Sequence, residues 1–183
     1  MSSVKTVEVV LQPVGPVSLQ HLQSIAGELE KRLPVKVEAR IAVWPLPLNY
    51  SKQFDWRRMQ LKAPEVNIAI KEAYEGYIKP RERVVVGVIA GDGYVSGLNF
   101  VFGLAMPDLG VASVYAERLS DSDVSRFLSR LLKEVMHELG HLLGLNHCAN
   151  PKCVMSLSNS VADVDFKDAW FCPACRVKLE GLS

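Results

Sequence analysis

Residues 134–155 read EVMHELGHLLGLNHCANPKCVM, and three of the chain's 4 histidines and two of its 4 cysteines fall inside this stretch. His137 and His141 are four apart, so on a helix they lie on one face, one turn from each other. That spacing lets both imidazoles reach a single Zn²⁺ at about 2.0–2.1 Å. Glu138, rotated about 100° from His137 around the helix, reaches a metal-bound water without becoming a ligand. Gly144 is placed to take the left-handed conformation that ends a helix, and the turn returns His147 as a third ligand. Three protein ligands leave one tetrahedral position open, which marks a catalytic zinc site. HExxH alone arises by chance in roughly one in a few hundred chains of this length, and the added Gly and His cut that by roughly another thousandfold.

Downstream, Cys148-x4-Cys153 and Cys172-x2-Cys175 supply two ligand pairs separated by a loop. Such pairs suit a tetrahedral four-cysteine zinc site whose full coordination shell makes it structural. A rubredoxin-like iron site uses the same ligands, and a disulfide pair is the plainer alternative. Compartment weighs against the disulfide. The N-terminus, MSSVKTVEVVLQPVG, has no apolar h-region, and no window approaches the roughly 18 apolar residues of a membrane span. The expected location is the cytoplasm, where thiols stay reduced. Because Cys148 directly follows His147, the two metals share a backbone, and fixing the cysteine limits where the histidine can point.

Around this core of motifs the pattern alternates between strand and helix. VKTVEVVL (4–11) is a predicted strand, and 18–33 a helix with Ser18 as N-cap and Leu19, Leu22, Ile25, Leu29 and Leu33 at helical spacing. The alternating VKVEARIAV (35–43) completes a βαβ unit, which is almost always right-handed. Residues 44–64 read as an irregular, aromatic surface excursion. A helix over about 65–79, strands at 83–90, 98–105 and 110–117, and a helix from about 122 to 143 follow. Ser120 and Asp121 are the candidate caps of that last helix, which carries the histidines. CPACRVKLEG is a candidate short C-terminal helix. The fourth histidine, His21, lies on a polar stretch of the first helix and is assigned no function.

The chain has 183 residues, enough for one domain with its own core. It is 49% hydrophobic and 22% charged with a net charge of +1, which leaves no electrostatic footprint for nucleic acid or a membrane surface. A nucleic-acid-binding zinc ribbon therefore fits the cysteine spacing and fails on charge. An interaction module held by zinc, with a vestigial or occluded catalytic site, is the remaining alternative to an enzyme. Glu138 argues against it, since a purely structural set of three histidines needs no carboxylate.

HELGHLLGLNH (137–147) resembles the extended zinc motif of the metzincins, and the cysteines after it are similar to those of the archaemetzincins. That family's pattern runs three zinc histidines, then Cys-x4-Cys-x-Met, then Cys-x2-Cys; here these are His137, His141, His147, then Cys148, Cys153, Met155, then Cys172 and Cys175. The resemblance spans about 84–180 and takes in GLNFVFGLA and SVYAERL upstream. It implies an α/β, minimal zincin-like (metzincin) fold: a mixed twisted sheet with an active-site helix and a C-terminal subdomain stabilised by a four-cysteine zinc site. It also implies a zinc metallopeptidase with Glu138 as general base, Met155 as the Met-turn, two Zn²⁺ per chain and a peptide or protein substrate. One catalytic domain over 1–183 is expected. Its N-terminal part runs to about 143, and its C-terminal part, about 144–183, holds the Met-turn and the four-cysteine site. No nucleic-acid or membrane partner is expected, and the chain is read as a monomer. The strand at 110–117 is expected to be the free sheet edge that pairs with an extended peptide, in a shallow cleft suited to short peptides. Two departures stand out. Sixteen residues separate Met155 from Cys172, one fewer than the family spacing, and position 157 is Leu, so no tyrosine follows the methionine as in some other metzincins.

Overall fold

The structure, a computed structural model, describes residues 6–181. Alternation of apolar residues along the chain produces a five-stranded sheet with helices on both faces. The elements are β1 (Val7–Val14), α1 (Leu19–Arg32), β2 (Val37–Ile41), α2 (Tyr50–Gln53), β3 (Phe54–Asp55), β4 (Gln60–Lys62) and α3 (Ala63–Ala73), followed by β5 (Arg83–Ile89), β6 (Gly93–Tyr94), β7 (Gly103–Met106), β8 (Val111–Tyr115), α4 (Val124–Leu142), α5 (Val161–Phe166) and α6 (Pro173–Gly181). Sheet order is β2-β1-β5-β8-β7, parallel throughout except for the antiparallel β7. The first two residues of the strand expected at 4–11 lie outside the described residues.

Period-two alternation sorts the strands' side chains to two cores. Val9, Leu11, Val84, Val86, Ala112 and Val114 meet α1 and α4 on one face. Val10, Val14, Val85, Ile89, Val111 and Tyr115 meet Val66 and Ile70 of α3 on the other. This is the expected mixed α/β sheet with its active-site helix. No described helix is long and apolar enough to cross a membrane.

Several expectations change in detail. The strand at 110–117 is not an edge. β8 is buried along its whole length between β5 and β7, and the sheet edge on this side is β7, whose residues are half-exposed. Strands covered on both faces read as unbroken apolar runs, so the two candidates were alike in sequence. The 44–64 excursion is ordered: it forms α2 and an antiparallel β3–β4 hairpin, and β4 pairs in parallel with β6 as a second small sheet. The helix expected over 65–79 starts at Ala63 and ends at Ala73, ahead of Gly76 at φ +80°. Of 98–105 only the last three residues are strand, continued to Met106. The cap of α4 is Asp123, whose carboxylate accepts from Ser125 N at 2.9 Å. A short helix, α5, is closed by a Ser160–Asp163 capping box.

Candidate metal centres and active-site cleft

α4 runs beneath β7 and β8 and brings His137 and Glu138 into the interior, each 5% exposed. It ends in a Schellman turn. Gly144 sits at φ +101° with its N–H donating to His141 O, and Leu145 N donates to Gly140 O. A side chain at 144 would be strained in that conformation. The turn carries His147 back so that the three imidazole centroids lie 4.8–5.3 Å apart.

Two backbone carbonyls set the tautomers. His137 Nδ1–H donates to Val154 O at 2.9 Å, and His141 Nδ1–H donates to Leu145 O at 2.8 Å. A carbonyl only accepts, so both protons sit on Nδ1 and both Nε2 atoms carry lone pairs. These Nε2 atoms face each other at 3.2 Å. Opposed lone pairs at that separation are unfavourable until a cation lies between them. Two ligands at about 2.05 Å with tetrahedral angles stand about 3.3 Å apart. The donor set fits zinc. Burial, then the nearby Lys167 charge, pushes the His137 pKa down to about 3, and burial lowers that of His141, so both stay neutral as a ligand requires.

Glu138 projects toward β7. A Cβ placed on Gly103 would lie 2.6 Å from Glu138 Cγ and closer still to Oε1, so the carboxyl is seated against bare backbone of the edge strand. Burial, then the like charge of Glu134, holds its pKa well above the ordinary carboxylate value, with Lys167 opposing. Met155 is fully buried and its Sδ packs against Gly140 of α4, where any Cβ would collide with it. A cleft of about 780 Å³ opens over these groups, walled by Val95–Phe102 above and Leu157–Asn159 below.

The four cysteines gather beside this site, their sulfurs within 4.8 Å of one another and none in a disulfide. Cys148 Sγ and Cys172 Sγ stand 3.8 Å apart. That is the edge of a tetrahedron with metal–sulfur bonds of about 2.3 Å. Cys172 N donates to Cys153 Sγ at 3.3 Å, a bond suited to a thiolate. His21 stays apart, edge-on to Phe127 at 5.7 Å.

Three features of the site have no obvious mark in the sequence. Gly103 and Gly140 act through what they leave room for. Lys167, 0% exposed, bridges Glu134 Oε1 at 2.8 Å and Ser156 O at 3.4 Å, joining α4 to the turn after Met155. Glu134 Oε1 has no well-angled donor, so charge more than hydrogen-bond alignment holds that pair.

A mixed sheet with one antiparallel edge, an HExxH helix packed on it with a buried methionine against its Gly140, and clustered imidazoles together define a zinc metallopeptidase. The sequence profile described as peptidase family M54 matches residues 31–181. The chain belongs to that family, the archaemetzincins. It is 50% identical over 126 residues to the archaemetzincin of Aeropyrum pernix, covering 69% of this chain and 68% of the relative. Among solved structures, the archaemetzincin of Methanopyrus kandleri superposes with a TM-score of 0.83 at 30% identity, covering 97% of this chain and 96% of the other. A zinc-dependent peptidase from Methanocorpusculum labreanum gives 0.81 at 30% identity, over 93% and 99%.

Proposed function

We propose that this peptidase works with two zinc ions per chain. One is held by His137, His141 and His147 and serves the reaction; the other is held by Cys148, Cys153, Cys172 and Cys175 and is structural. The chain is read as one catalytic domain, its part after about residue 144 organised by the four-cysteine site, acting as a monomer in the cytoplasm without a nucleic-acid partner. Bound at the histidines, zinc supplies Lewis acidity that polarises a carbonyl and makes water acidic enough to attack at neutral pH.

The remaining work falls to the chain's own groups. Glu138 takes the proton from the attacking water on a carboxylate oxygen and returns it to the leaving amine. Its raised pKa suits a group that must hold that proton between the two transfers. The half-exposed edge of β7 offers backbone donors and acceptors to an extended peptide, aligning the scissile bond over the histidines. Short peptides fit the cleft best on this reading. The observation that carries the proposal is the seat of Glu138: buried, against Gly103, and beside the three imidazoles without being one of the clustered ligands.

Glu138→Gln tests it. The amide keeps the shape and loses the base, so hydrolysis of a peptide library should fall by about 10²–10⁴-fold while zinc content stays as in the parent. Loss of zinc together with activity would make Glu138 a ligand and overturn the assignment.

A further inference from the structure

The small sheet β3-β4-β6 lies off the main sheet, sends Leu61 and Phe54 to the second core, and is tied by a dense polar network to the cleft's upper wall. Gln60, on β4 and buried, donates from Nε2 to Asn99 O at 2.9 Å and to Asp92 Oδ2 at 2.9 Å. Its Oε1 accepts from Arg58 Nε at 2.9 Å. Arg58 Nη2 donates to Leu98 O at 3.0 Å and to Asn99 O at 2.8 Å. Asp92, also buried, accepts from Gly93 N and takes both ends of the Arg118 guanidinium at 2.8 and 2.7 Å, and that guanidinium lies 4.2 Å over the Phe100 ring. Arg58 itself stacks at 4.1 Å over Tyr94 of β6.

Every one of these bonds ends on the segment 98–102 or on the residues that hold it. That segment presents Leu98, Phe100 and Phe102 to the cleft and leads directly into the edge strand β7 at Gly103. Between Arg58 and Gln60 the chain passes through Met59 at φ +54°, a conformation a non-glycine residue rarely takes. Such strain persists where the surrounding structure demands it, often beside functional segments.

We infer that the small sheet is a bracket for the cleft rim, and that Arg58 and Gln60 are positioning residues that set how tightly an extended peptide with apolar side chains binds. The inference rests on the cleft being the peptide site. A rim held by backbone carbonyls is pre-organised, so the peptide need not order it on binding. Freed from the bracket, the rim keeps its chemistry and loses its fixed place.

The test is Arg58→Ala in the zinc-loaded protein, with Arg57→Ala as a variant that removes the same charge one residue away. Hydrogen exchange is read at the amides of Leu98 and Val101, which bond Val95 O at 3.0 Å and Gly93 O at 2.8 Å. In Arg58→Ala these amides should exchange faster, and KM for peptides should rise by about tenfold with kcat unchanged, the cost of ordering one or two side chains on binding. Gln60→Leu should do the same more strongly, and Arg58 is exposed, so its loss leaves the fold intact should the buried Gln60 variant fail to fold. Unchanged exchange in Arg58→Ala overturns the bracket, as does an equal rise of KM in Arg57→Ala. If the parent protein cleaves no peptide, the proposed mechanism fails by itself, and the exchange result alone then decides the bracket.

Discussion

Gly103→Ala adds one methyl group to the edge strand, and the geometry says where it lands. The new Cβ would stand 2.6 Å from Glu138 Cγ and 2.7 Å from Cδ, where ordinary contact begins at 3.4 Å. Either the carboxyl retreats by about 1 Å or β7 bulges outward, and both change the alignment of base, water and peptide strand. A misplacement of about 1 Å costs on the order of 100-fold in rate, which is about 2.7 kcal/mol of transition-state stabilisation. The three atoms nearest the added methyl all belong to Glu138, which is not among the seven clustered candidate ligands, so zinc content should not change. Gly27→Ala is the matched control: it also adds a methyl to a glycine, on α1, where a Cβ meets nothing within 4 Å. Peptide hydrolysis, zinc by elemental analysis and thermal unfolding are measured on both. The expected pattern is a drop of about 100-fold in kcat/KM for Gly103→Ala with full zinc, beside parental activity for Gly27→Ala. Gly103→Ala with parental kcat/KM would refute the seat of Glu138 as the source of its competence.

Lys167→Met should destabilise the protein by about 3–5 kcal/mol, because it strands the buried Glu134 carboxylate. Glu134→Leu combined with Lys167→Met should recover most of that loss in denaturant titrations, and equal losses in the single and double variants would show that the pair is not what matters. Protein purified under reducing conditions should carry two zinc ions per chain; one zinc with four thiols open to reagent would remove the closed site. Cys148→Ser should weaken zinc at the histidines, measured by competition with a chelator, whereas unchanged affinity would mean the two clusters are neighbours in sequence only.

Much of the local chemistry was readable before the fold was known. Histidines at i and i+4 with a glycine turn to a third are a statement about helix geometry, and the structure brings their rings together. The Cys-x4-Cys and Cys-x2-Cys pairs likewise meet across a loop. The errors arise where the answer lay between elements distant in sequence. β7 and β8 are both short apolar runs, and only their order in the sheet makes one of them the edge. Nothing local marks Gly103, because its importance is the position of Glu138, 35 residues later. Lys167 stands between Phe166 and Asp168 like any surface lysine, and it is buried only because α5 folds it toward Glu134. The α5 helix itself had a readable signal, Ser160 followed three residues later by Asp163, in a stretch without apolar period.

The cysteine cluster and the histidine cluster meet through three consecutive residues. Cys153 belongs to the sulfur group, Val154 supplies the carbonyl that fixes the His137 tautomer, and Met155 packs its thioether under Gly140. Val154 N donates to Trp170 O at 3.0 Å, two residues before Cys172, and Cys148 N donates to Met155 O at 2.9 Å. A strut this short cannot move at one end without moving at the other. Outer partners of a ligating histidine typically change metal affinity by about 10–100-fold when lost; in the proposed centre that partner of His137 is a main-chain carbonyl, which no substitution at 154 can delete. Its place can be disturbed only through its neighbours, and one of those neighbours is a cysteine. On the proposed two-zinc reading, the cysteine cluster is positioned to act as the support of the His137 ring, and the crowding of histidine and cysteine in residues 134–155 keeps that support within a few bonds of the groups it would orient.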